Sequence, residues 1–129
     1  MFTINQIKEA HSKVKSGADF PTYIQDLIKL GVESYECFVE NGNTLYHGSN
    51  DFTVQSDAKY PVLEIAEQSN IAQFQKDLKA HQQGKTDYLT FCKDSASAGV
   101  EKWEVKMHEM TCTYFDKAGN EMLAEKIPG

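Results

Sequence analysis

Asp19-Phe20-Pro21-Thr22-Tyr23-Ile24-Gln25-Asp26-Leu27-Ile28-Lys29-Leu30-Gly31-Val32-Glu33-Ser34-Tyr35-Glu36-Cys37-Phe38-Val39 returns 68 residues later as Asp87-Tyr88-Leu89-Thr90-Phe91-Cys92-Lys93-Asp94-Ser95-Ala96-Ser97-Ala98-Gly99-Val100-Glu101-Lys102-Trp103-Glu104-Val105-Lys106-Met107. Seven of the 21 positions are identical, and three more exchange one aromatic for another (Phe20/Tyr88, Tyr23/Phe91, Tyr35/Trp103). Average composition would give roughly one or two identities by chance. The register runs on without a gap to Tyr46/Tyr114. Two copies are too few for a stacked solenoid. The expectation is an α+β fold: a single domain over 1–129, built from two similar helix-helix-strand-strand-strand units near 1–56 and 68–127. A pseudo-twofold axis should relate them, with a mainly antiparallel sheet and the helices on one face.

The helices are readable from their ends. Thr3-Ile4-Asn5-Gln6 and Asn70-Ile71-Ala72-Gln73 have the pattern of capping boxes, an oxygen side chain followed three residues later by Gln. They predict helices near 3–16 and 70–83, stopped by Gly17 and Gly84. Asp19 and Asp87 are cap residues for the second helix of each unit, with Pro21 in the first turn of one copy. Phe20, Tyr23, Ile24, Leu27 and Ile28 follow helical spacing up to Gly31. Leu27 and Ile28 become Ser95 and Ala96 in the second copy. Small residues there admit a close neighbour, with Trp103 the obvious bulky partner, or leave a pocket.

Alternation follows each glycine. Asn41-Gly42 predicts a two-residue hairpin turn. That turn would oppose Phe38 to Leu45, Cys37 to Tyr46 and Glu36 to His47, and a shift of 68 would oppose Phe115 to Glu104. Tyr35, Cys37, Val39, Thr44 and Tyr46 then share one face, as do Trp103, Val105, Met107, Cys112 and Tyr114. Third strands are expected at 52–55 and 121–127, and 60–66 as an extended arm joining the units.

With 129 residues, 40% apolar and 25% charged, the composition is that of a folded globular chain. The net charge is −6, and all 13 basic residues are lysine. Nucleic acid and anionic membrane are therefore not expected partners. No apolar run reaches transmembrane length, and the opening residues do not have the form of a secretion signal. Three widely spaced cysteines, Cys37, Cys92 and Cys112, fit a reduced, cytoplasmic setting.

The opposite face of the sheet is the informative one. It should carry Glu36, Phe38, Leu45 and His47 from the first hairpin, and Glu104 and Phe115 from the second. A solvated face would be polar throughout, yet two phenylalanines and a leucine stand there. Either sheets of two halves or of a homodimer pack on it, or it binds a ligand or partner across the axis with Glu36–His47 as polar anchor. A small enzyme using Glu36, His47 and Glu104 in a cleft between the halves is the alternative. The pattern favours non-catalytic binding of a small molecule or a protein. His108-x-x-x-Cys112 has ligand spacing, but the register sends the two side chains to opposite faces, so no metal is expected. The same register separates Cys37 from His47, and Cys92 lies on an apolar helix stripe, so no thiol nucleophile is expected. Phosphate loops, serine elbows and cofactor motifs are lacking.

The run from Phe20 to Asp51, with Leu27, Gly31-Val32, Tyr35, Thr44-Leu45-Tyr46 and Gly48, resembles the YdfO/YbcV-like family. So do Tyr60-Pro61, Ile65-Ala66, Tyr88, Phe91-Cys92, Ala98-Gly99-Val100 and Tyr114-Phe115. The resemblance covers nearly the whole chain. It implies a compact α+β domain of bacterial or prophage origin in the cytoplasm, and some members are labelled phage envelope protein. It brings no catalytic residues.

Overall fold

A computed structural model describes residues 2–14 and 19–127. Its element series is α1 (Ile4–Ser12), α2 (Phe20–Leu30), β1 (Ser34–Phe38), β2 (Thr44–His47), β3 (Thr53–Gln55), α3 (Ile71–Gln82), α4 (Tyr88–Ser97), β4 (Val100–Lys106), β5 (Thr111–Asp116) and β6 (Glu121–Lys126). Helix–helix–strand–strand–strand thus occurs twice. The class is α+β.

Local signals explain the helix starts. The Thr3 hydroxyl accepts from the Gln6 amide at 3.2 Å, and the Gln6 side chain accepts from the Thr3 amide at 2.8 Å. Asn70 caps α3 by accepting from the Gln73 amide, but the Gln73 side chain reaches forward to Asp77 instead of back. Asp87 accepts from the Thr90 amide at 2.7 Å. Asp19 precedes α2 without a side-chain cap bond, and Pro21 supports that start. Helix α1 ends at Ser12 with Lys13 as its C-cap, short of the expected residue 16, and Gly17 lies outside the described residues.

All six strands join one antiparallel sheet in the order β3-β2-β1-β4-β5-β6. One face is buried: Tyr35, Cys37, Val39, Thr44 and Tyr46 on one side of the centre, Trp103, Val105, Met107, Cys112 and Tyr114 on the other. These pack with Ile7, Tyr23, Ile24 and Leu27 of the first helix pair and Phe74, Leu78, Phe91 and Cys92 of the second in one continuous core.

The hairpin register differs from the sequence expectation by two residues. Tyr35 faces Tyr46 and Glu36 faces Leu45, so four residues form the loop. The second hairpin slips equally, with Glu104 opposite Thr113 and Lys102 opposite Phe115. A two-residue turn of the expected type needs positive φ at both positions. Only Gly42 has it, at 75°; Asn41 does not. Val39 instead stays with the central ladder, donating its amide to Glu101 at 2.9 Å and burying its side chain. Met107 does the same towards Glu33 at 3.0 Å. Because the slip is even, every side chain keeps its expected face.

The connecting segment is not the extended arm expected over 60–66. It is irregular and stitched to both units. Leu63 donates its amide to Glu40, and Tyr60 its hydroxyl to the Val39 carbonyl at 2.6 Å. Ala66 and Asn70 donate to Ala96 and Ala98 at the end of α4. Ser95 and Ala96 are both buried, so the small side chains leave no open pocket there, and the connecting segment reaches the Ala96 carbonyl.

Candidate functional site

Period-two alternation gives the second face of the sheet its residues, and the register sets them in rows. The middle row reads Gln55, Leu45, Glu36, Glu104, Thr113, Ala124 across the six strands. One flanking row runs Thr53, His47, Ser34, Lys106, Thr111, Lys126. The other runs Phe38, Lys102, Phe115, Glu121. All six sequence-derived candidates, Glu36, Phe38, Leu45, His47, Glu104 and Phe115, lie on this face, each half-buried.

Glu36 stands directly opposite Glu104, its own counterpart in the sequence repeat. Two carboxylates in a cross-strand pair repel. Lysines offset this: Lys102 Nζ is 3.5 Å from Glu36 Oε1, and Lys106 Nζ is 3.6 Å from Glu104 Oε1. Lys102 also sits 5.5 Å from the centroid of the Phe115 ring, within cation–π reach. Lys102 escaped the sequence reading because β4 begins at Val100, earlier than its alternation suggests.

The Glu36–His47 pair is a correction. His47 faces Ser34 and Thr53, a diagonal step from Glu36. Diagonal neighbours lie about 7–8 Å apart, and the Glu36 carboxylate pairs with Lys102 rather than with His47. Phe115 likewise faces Lys102 rather than Glu104.

Cavities lie elsewhere. A groove of about 380 Å³ opens between the connecting segment and the ends of the central strands, touching this face only at Phe38. A second, of about 360 Å³, lies between α1 and residues 56–59. Neither is lined by Glu36, Leu45, His47, Glu104 or Phe115.

The helix side of the sheet holds the thiols. All three cysteines are free and buried. Burial pushes each thiol up, Cys112 to about 12, although hydrogen bonds partly oppose it. Cys37 Sγ lies 3.5 Å from the Tyr88 hydroxyl, and burial raises that phenol as well. Cys112 is buried while His108 is exposed in the β4–β5 turn, so the two do not converge. Among the described residues, no group of three or more His, Cys, Asp or Glu could hold a metal ion, and no helix is long and apolar enough to cross a membrane.

Residues 8–126 match the family described as protein of unknown function (DUF1398). The chain belongs to the DUF1398 family. No curated protein matches it. In this DUF1398 chain the matched region takes in every strand and all six residues of the sheet-face candidate.

Proposed function

We propose that this DUF1398 chain is a non-catalytic binding module that presents the helix-free face of its sheet to a protein partner. The observation that carries the reading is the convergence of Glu36, Phe38, Leu45, His47, Glu104 and Phe115 on that face, with only Phe38 reaching into either groove. A small ligand needs concavity; a protein partner needs a broad surface with apolar groups and neutralised charges. Phe38, Leu45 and Phe115 supply the first, and the Lys102–Glu36 and Lys106–Glu104 pairs the second. The pairing of Glu36 with Lys102 rather than His47 weighs against a Glu–His base there.

Within this reading the chain is a duplication, its halves related by a half-turn about an axis through the Glu36/Glu104 pair. Support comes from the symmetric strand order, the equal slip of both hairpins, and the matched bonds from Val39 to Glu101 and from Met107 to Glu33. The resemblance to the YdfO/YbcV-like proteins adds a bacterial, prophage-related and cytoplasmic setting.

Photo-cross-linking tests the reading. A benzophenone amino acid at Leu45 or Phe115 should give a discrete adduct in cells making the protein, and the same group at exposed Leu89 of α4 should not. The mass of the adduct separates a second copy of the chain from another protein. Identical patterns at all three positions, or none at Leu45 and Phe115, would sink the proposal.

A further inference from the structure

We infer that the groove between the connecting segment and the central strands takes a small organic cation with an apolar body. This does not rest on the sheet-face reading, and its failure would leave that reading intact.

Phe38 and Leu63 line the groove beside Val62, whose side chain is 70% exposed, the highest value among the large apolar residues noted on the surface. Val62 neighbours Leu63, whose amide is fixed to the Glu40 carbonyl at 2.7 Å, so its exposure belongs to an anchored stretch. Glu40, Glu64 and Glu101 line the same groove. Lys117 is the single basic lining residue; its ammonium is 2.8 Å from Glu67 Oε1 and also feels Glu101 and Glu64, so one cation faces four carboxylates counting Glu67 and Glu40. The groove is therefore lined in comparable measure by apolar and acidic groups. A body that covers Val62 and brings one positive charge to these carboxylates complements both features. A volume of about 380 Å³ suits a small molecule rather than a protein segment.

Tetraphenylphosphonium and tetraphenylborate provide the test, being nearly the same shape with opposite charge. Titration of the isotopically labelled protein with the cation should shift amide signals clustered at 62–64 and 101, and the anion should leave them unmoved. A Glu64→Gln/Glu101→Gln double variant, checked for an unchanged spectrum, should bind the cation about fivefold more weakly and with less dependence on salt. Val62→Ser, at an exposed position, should also weaken it. Equal binding of both ions, or unchanged affinity in the double variant, overturns the proposal by removing the role of charge. Shifts confined to Leu45 and Phe115 overturn it by moving the ligand to the sheet face. No response to the cation, with shifts on adding a lysine- and leucine-rich peptide, overturns it in favour of a protein segment; no response to either also overturns it.

Discussion

Gly42→Ala probes the hairpin that sets the whole register. Gly42 sits at φ 75°, where an added Cβ costs about 1 kcal/mol. That Cβ would also lie 2.8 Å from Cε2 of Tyr60 and 3.1 Å from Cβ of Lys59. The Tyr60 ring cannot swing aside freely, because its hydroxyl is held by the Val39 carbonyl at 2.6 Å. Moving the ring gives up that bond, about another 1 kcal/mol. The expected loss is about 2–3 kcal/mol. Gly119→Ala is the matched control, since Gly119 has φ 84° and nothing within 4 Å of its added Cβ. Both substitutions share the left-handed penalty and the change in unfolded-chain entropy, so their difference isolates the clash with the connecting segment. Urea unfolding of the two variants measures it. Gly119→Ala should lose only about 1 kcal/mol. Losses equal within about 0.5 kcal/mol would refute the claim that the connecting segment braces the hairpin.

Three further outcomes follow from the same geometry. Glu104→Gln removes a like-charge opposition to Glu36 and should leave stability unchanged or raise it by up to about 0.5 kcal/mol in urea unfolding, a sign that the pair is not kept for folding. Leu45→Lys and Phe115→Lys, on the open face, should each change stability by less than about 1 kcal/mol, whereas Leu27→Ala in the core should lose about 3 kcal/mol, with thermal melts ranking all three. Burial pushes the Cys112 thiol from an ordinary 9.0 up to about 12, so the unfolded chain releases its proton first as pH rises. Its stabilising contribution is complete below pH 9 and falls away between about 9 and 12, which denaturant titrations across that range should record as declining stability.

Much of this architecture is legible because independent signals agree. Capping residues, helical spacing and alternation each occur in both copies of the repeat, and together they place the start of every helix, the end of three, and five of the strands close to their observed bounds. Face assignment survived an error in register because it depends on parity alone. Opposition across strands did not survive, because it depends on loop length. Asn41-Gly42 suggests a tight turn locally, but Val39 gains more from burial and from its bond to Glu101, a contact to a strand 62 residues away. The groove was illegible for a similar reason. Val62, Glu64 and Glu101 come together only through the path of the connecting segment, which has no periodicity to read.

The meeting of β1 with β4 also sets the order in which the chain can mature. These two strands form the centre of the sheet, yet residues such as Glu36 and Glu104 are separated by 68 positions. Hairpins and helix pairs close quickly from nearby residues, but the seam must wait until the later strand exists. Until then β1 is a bare edge, its amides and carbonyls open to any passing strand. Synthesis beyond Lys106 ends that exposure, so a truncated first half is the species most at risk of aggregating.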